Sequence, residues 1–147
     1  MIRVLGLDIG QRRIGFAFGN QMSVGSSMVV PGGFLTVHSD EQAVEQVKSL
    51  AEEEGVDALV IGVPLINNEE TPQSKKIRRL AEAIHAALPN LEIHFWDESL
   101  TSVAAGQELV QAELKHSGKS KRGRVDAVAA SLILQGFLDS RRFTPGL

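Results

Sequence analysis

The sequence predicts an α/β fold, a mixed five-stranded sheet flanked by helices. Three observations carry that expectation. Five short apolar runs have strand length, the later ones alternate with segments of helical period, and only "GQRR" separates the first two runs. A tight connection of that kind joins antiparallel neighbours, whereas helical crossovers return the chain parallel to itself.

Residues 2–9, "IRVLGLDI", form the first strand, ending on Asp8, and "IGFAFG" at 14–19 forms the second. A third is expected near "GGFLTV", with Pro31-Gly32-Gly33 blurring its start. Ser39, with Gln42 three residues on, caps a helix whose apolar face carries Ala43, Val44, Val47, Leu50 and Ala51 and which Gly55 stops. "DALVIGVP" at 57–64 is apolar without interruption, as a strand buried on both faces should be. Past "LINNEE", Thr71 and Pro72 supply a cap and a first helical position, and Ile77, Leu80, Ala81, Ile84 and Leu88 line one face before Pro89. "LEIHFW" at 91–96 is the fifth strand. Thr101 caps a helix through about Leu114, the basic stretch 115–124 is a loop, and "VDAVAASLILQGFL" at 125–138 is a helix apolar nearly all round, hence buried.

The 147 residues, 43% hydrophobic and 22% charged, suit one domain spanning 1–147. With no Cys, disulfides and thiolate zinc sites are excluded, and any chemistry uses carboxylates, hydroxyls, basic groups or the four His. The apolar start is too short, and too soon interrupted by Asp8, for a signal peptide or membrane span, so a cytoplasmic protein without membrane contact is expected.

A net charge of −3 conceals segregation. Eleven of the 15 Lys and Arg lie in Arg12-Arg13, "KKIRR" at 75–79 and "KHSGKSKRGR" at 115–124, while seven acids crowd residues 40–57 against Lys48 alone. If the fold gathers the cationic stretches on one face, nucleic acid can bind there while the acidic helix faces away. Arg12, Arg13, Lys119, Lys121, Arg122 and Arg124 are the candidate phosphate contacts.

Parallel strands ending at Asp8, Val63 and Trp96 would deliver Asp8 and the Asp97-Glu98 pair to the carboxyl edge of the sheet, where α/β ligands bind. Asp126 opens the buried helix. Carboxylates gathered this closely repel one another unless a cation joins them, and hard oxygen ligands favour Mg²⁺ or Mn²⁺. Two such ions about 4 Å apart can clamp the attacking and leaving oxygens of a phosphodiester. Taken singly, Asp126 is explained by a helix dipole and Asp97 by a turn. Asp8, followed by Gly10, is better explained by close approach of a ligand. Adjacent strand residues face opposite ways, which favours Glu98 over Asp97 as the inward acid, supported by Thr101. His94 and Trp96 read as strand packing, and His38, His85 and His116 share no ligand spacing.

"LDIGQRRIGFA" resembles the opening motif of the YqgF/RuvX family of Holliday-junction-resolvase-like proteins, also described as pre-16S rRNA nucleases. "VIGVPL" at 60–65, "DESLT" at 97–101 and "GRVDAVAASLILQGFL" at 123–138 resemble its later blocks in order, so the likeness spans nearly the whole chain. It implies an RNase H-like nuclease domain, Mg²⁺ or Mn²⁺ as cofactor, pre-rRNA as partner in ribosome biogenesis, and catalytic acids matching Asp8, Glu98 and Asp126. Asp97, beside Glu98, is a further candidate metal ligand on position alone. Two departures stand out. Ser99 replaces the family's usual Arg, removing a phosphate contact, and "LINNEETPQ" replaces a loop usually richer in Gly.

Three other functions remain open at this point. A sugar-kinase-like phosphotransferase shares the strand-Asp-Gly opening but needs two domains and an adenosine site, for which 147 residues leave no room. A non-catalytic RNA-binding module in ribosome assembly or transcription would need the cations and not the metal. A resolvase acting on branched DNA would use the same acids.

Overall fold

The computed structural model describes residues 2–21, 28–100 and 121–142, apart from the side chains of 121–124 and 142. The described elements run β1 (Ile2–Ile9), β2 (Arg13–Gln21), β3 (Met28–Thr36), α1 (Asp40–Glu54), β4 (Ala58–Val63), α2 (Pro72–Ala87), β5 (Glu92–Asp97), a 3-10 turn (Glu98–Leu100) and a final helix, here α3 (Lys121–Arg142). The strands form one mixed sheet in the order β3-β2-β1-β4-β5, with β1, β2 and β3 antiparallel and β1, β4 and β5 parallel. This is the mixed five-stranded sheet expected from the sequence. The expected helix from Thr101 to Leu114 lies outside the described residues.

Local chemistry explains most boundaries. Ser39 accepts the Gln42 N–H at 3.1 Å, the Gln42 side chain returns to the His38 N–H at 2.7 Å, and left-handed Gly55 closes α1. Thr71 and Ser74 form a reciprocal capping box ahead of Pro72, and the Thr71 hydroxyl donates to the Pro64 carbonyl at 3.0 Å, fixing the start of α2 to the end of β4. The Asn-rich loop between them turns on Asn67 and Asn68, both at positive φ (51° and 63°), and closes through paired Ile66–Glu69 backbone hydrogen bonds. Asn tolerates the left-handed region nearly as Gly does, so this departure from a Gly-rich loop keeps a tight turn.

Two elements outrun their sequence reading. β3 starts at Met28 and passes through Pro31, which an edge strand tolerates because one row of its N–H groups has no ladder partner; the register slips at Phe16/Ala17. α3 begins at Lys121, so Lys121, Arg122 and Arg124 belong to its first turns and not to a loop. Lys and Arg are good helix formers and Gly123 costs only about 1 kcal/mol, less than the packing of the apolar helix behind it returns.

The two faces of the sheet differ in kind. Leu5, Leu7, Ile9, Ile14, Leu59, Ile61 and Val63 pack large side chains against α1 and α2. The opposite face offers Gly6, Gly15, Ala17, Gly19, Ala58 and Gly62, and α3 lies close upon it through Ala130, Ile133, Leu134 and Leu138. "KKIRR" therefore sits on α2, across the sheet from α3, and the acidic α1 packs beside α2. "KKIRR" and the start of α3 do not share one face, because α1 and α2 both need the large-residue face to bury their apolar stripes.

Candidate active site

Asp8 is the penultimate residue of β1 and points to the α3 face, in register with Gly15 of β2. The last paired rung between β1 and β4 is Leu7–Ile61, so Gly62 follows level with Asp8 on the other side. Asp8 therefore has a glycine on each flank. Each gap admits an acid from elsewhere. A Cβ on Gly15 would come within 2.5 Å of the Asp126 carbonyl carbon and 3.0 Å of its Cβ, and a Cβ on Gly62 would meet Glu98 Oε1 at 2.8 Å. Asp126 thus lies over β2, and Glu98 folds back from β5 across β4.

Why Glu98 and not Asp97 turns inward is visible in the backbone. β5 ends at Asp97, whose Oδ1 accepts the Ser99 N–H at 2.9 Å, and this local turn starts the 3-10 segment that re-aims Glu98. Asp97 thereby serves the turn through Oδ1, and its charge adds to the rise of Glu98.

The acids are electrostatically coupled. Burial, then the charge of Asp8, their mutual hydrogen bond and the charge of Asp97 push the Glu98 carboxyl up to about 7. Burial and the charge of Asp126 raise Asp8 as well, while the hydrogen bond from Glu98 opposes the rise. Their hydrogen bond raises Glu98 and lowers Asp8, so the proton between the two carboxyls resides on Glu98. Arg13 Nε forms an ion pair with Asp126 Oδ2 at 2.8 Å, and among the described residues that buried oxygen has no hydrogen-bond partner.

Among the described residues no three acids or histidines form a ready cation site; Asp8 and Glu98 share a hydrogen bond and Asp126 pairs with Arg13. The donor set nevertheless suits a hard divalent ion. It is all carboxylate, it includes a buried oxygen that has no hydrogen bond among the described residues, and a shared proton and one guanidinium now supply the positive charge such an ion would bring.

Of the other residues singled out, Gly10 lies exposed in the β1–β2 turn, its N–H donating to the Arg13 carbonyl at 2.9 Å, and Arg12 is exposed beside it. Arg13, expected at the phosphate backbone, is engaged by Asp126. Lys121, Arg122 and Arg124 open α3, two to five residues before Asp126. Thr101 and Lys119 lie outside the described residues. His94 meets Glu92 at 3.1 Å, Arg141 at 3.3 Å and the Phe137 ring, away from the acids, and Trp96 packs on Gly136. Gly15 and Gly62 were not recognised as site residues from the sequence; the available signal was the period-two recurrence of small residues in "GLDIG", "GFAFG" and "ALVIG".

The sequence profile of the family described as RuvX, Holliday junction resolvase, matches residues 2–140. A candidate pre-16S rRNA nuclease of Chloroflexus aggregans is 41% identical over 140 residues, covering 95% of this chain and 94% of that protein. One from Clostridium botulinum (strain Hall) is 39% identical over 142 residues, covering 95% and 98%. Among solved structures, the fowlpox virus Holliday junction resolvase superposes with a TM-score of 0.62 at 13% identity, covering 95% of this chain and 99% of that one. Thermus thermophilus RuvC superposes with a TM-score of 0.56 at 11% identity, covering 96% of each. These likenesses establish an RNase H-like fold.

Proposed function

The chain belongs to the RuvX, Holliday junction resolvase, family and is a nuclease hydrolysing phosphodiester bonds, and from that premise we propose that it matures the 5′ end of small-subunit precursor rRNA with Asp8, Glu98 and Asp126 as its catalytic acids. The observation that carries the site assignment is the meeting of Asp8 with Glu98 and Asp126 through two glycine gaps at one sheet edge. Mg²⁺ or Mn²⁺ held by these three carboxylates would supply the activated water and neutralise the departing oxygen.

The chain's own residues prepare that chemistry. Asp8 on a central strand fixes the position of the reaction, and Glu98 exchanges the proton it shares with Asp8 near neutral pH. Arg13, exposed over about a third of its side chain (35%), keeps Asp126 oriented and lies within reach of a substrate phosphate. The exposed Arg12 and the basic start of α3 give the backbone of the nucleic acid a cationic approach. Ribosomal RNA is processed where ribosomes are made, so the cytoplasm is the compartment; among the described residues no helix is long and apolar enough to cross a membrane.

The test is incubation with labelled ribosomal precursor, single-stranded RNA and a four-way DNA junction, each with Mg²⁺, Mn²⁺ or EDTA. Metal-dependent cleavage of the precursor at its 5′ end is the expected result. Preferred cleavage of the junction would support the second reading, a branched-DNA resolvase, which the family description favours. Binding without cleavage in any metal would leave the non-catalytic RNA-binding module.

A further inference from the structure

On the sheet face away from α3, a cleft of about 550 Å³ opens between the N-terminal ends of α1 and α2. We propose that this cleft is a second nucleic-acid contact, holding a single-stranded nucleotide that flanks the cleaved bond, with Lys76 and Arg79 on its phosphate. The inference rests on the nuclease reading for its register and deepens it by giving the substrate strand an exit path.

Size, charge and position agree. The volume lies within the range of sites that enclose small organic ligands. Its floor is aliphatic, built from Ile9, Ile14, Val37, Ile77 and Leu80, which suits the face of a sugar or base. Lys76 and Arg79 stand on its α2 wall, and among the described residues Asp40 is the single carboxylate of the lining. The cations of "KKIRR" divide by role. Arg78 is bound to Glu70 at 2.5 and 3.1 Å and lies over the Phe95 ring at 4.7 Å. Among the described residues Lys76 and Arg79 have no ion pair, so their charge is available to a ligand.

The cleft also reaches the turn that follows Asp8. Gly10 and Gln11 of the β1–β2 turn form one wall, and Gly10 is two residues beyond Asp8. Extended backbone covers two to three residues in about 10 Å, which a stacked strand at 3.4 Å per nucleotide spans in about three steps. The turn between is low: Gly10 has no side chain, and its N–H is drawn onto the Arg13 carbonyl at 2.9 Å. A strand leaving Asp8 can therefore cross this saddle, past the exposed Arg12, and descend between the helices. The phosphate contacts of Lys76 and Arg79 carry no sequence information, whereas Gln11, His38, Ser39 and Gln73 on the walls offer hydrogen-bonding groups to the nucleotide.

The experiment compares the parent, the double variant Lys76→Ala/Arg79→Ala, and Lys48→Ala as a charge control on α1 outside the cleft. Alanine at these exposed helical positions preserves the fold. Affinity for labelled single-stranded RNA, measured across a salt series, should fall about tenfold or more in the double variant, and the log-log salt slope should shrink by about 1.4, two phosphate contacts at 0.7 each. RNAs shortened stepwise from either end should lose this difference once the flanking nucleotide is gone. A slope and affinity equal to those of Lys48→Ala overturn the proposal. So does saturable binding of AMP in the cleft, by calorimetry, combined with unchanged strand binding, since the cleft would then serve a free nucleotide. Cleavage of the same RNA by the parent in Mg²⁺ against EDTA is read in parallel. Cleavage with an unchanged slope sinks the cleft alone, and a slope defect without cleavage in any metal sinks the nuclease reading while the cleft stands.

Discussion

Gly15 lies directly beneath Asp126: where β2 passes under α3, a side chain on Gly15 would occupy the space of the Asp126 carbonyl. The helix carrying Asp126 can approach Asp8 only because the strand beside Asp8 has no Cβ at that rung.

Gly15→Ala should therefore lift the start of α3 while its far end stays seated through Leu134 and Leu138. The expected stability loss is about 1–3 kcal/mol by denaturant titration, and hydrolysis should fall about a hundredfold through misplacement of the acid. Gly19→Ala, which meets Leu134 and Leu138 side chains at 3.1 and 3.2 Å, should cost stability with a much smaller loss of rate. Adding Asp126→Glu to Gly15→Ala should restore part of the rate, because the longer side chain spans the gap. Equal loss of rate at Gly15 and Gly19 would point to global damage instead.

The shared proton sets a pH dependence. Glu98 ordinarily titrates near 4.5 and in the fold is pushed up to about 7, so the folded state holds its proton more tightly than the unfolded chain does. Stability from this group is complete below about 4.5 and is lost as pH rises through about 7. Urea midpoints of the parent should decline across that window, and Glu98→Gln, which cannot ionise, should flatten the decline. A parent curve that instead rises from pH 5 to 7 by the amount seen in Glu98→Gln contradicts the arrangement.

Asp8→Asn keeps the shape and removes the charge at the centre of the site. Hydrolysis should fall by several orders of magnitude, while nucleic-acid binding persists or strengthens as a negative charge near the phosphate is lost. Stabilisation by added Mn²⁺, read as a shift in Tm, should disappear. Cleavage at the parental rate, after contaminating nuclease is excluded, would replace the metal-nuclease reading with the RNA-binding module.

Arg13→Gln removes the partner of Asp126. In EDTA the variant should be less stable than the parent by about 1 kcal/mol, since the pair is partly exposed, at 35% and 22%. Mn²⁺ should recover that loss and bind the variant more tightly than the parent, because no guanidinium competes for Asp126. Weaker Mn²⁺ binding by the variant would show that Arg13 supports the ligand instead of competing for it.

Much of this was legible in the sequence because it follows from local chemistry. Ser39, Gln42 and Gly55 bounded α1, Thr71 and Pro72 opened α2, and the uninterrupted apolar run gave β4, since caps and periodicity act over a few residues. Asp8 and Glu98 were recognisable as acids at strand ends. What required the tertiary structure was everything decided by contact across the sheet. The sequence contains Gly15 and Gly62 but not the fact that one lies under Asp126 and the other under Glu98, because those contacts join residues far apart in the chain. The partner of Arg13 and the proton between Glu98 and Asp8 were hidden for the same reason. The face taken by "KKIRR" was hidden as well: residue type supplies the charge, but the demand of α1 and α2 for the large-residue side of the sheet decides where that charge is placed.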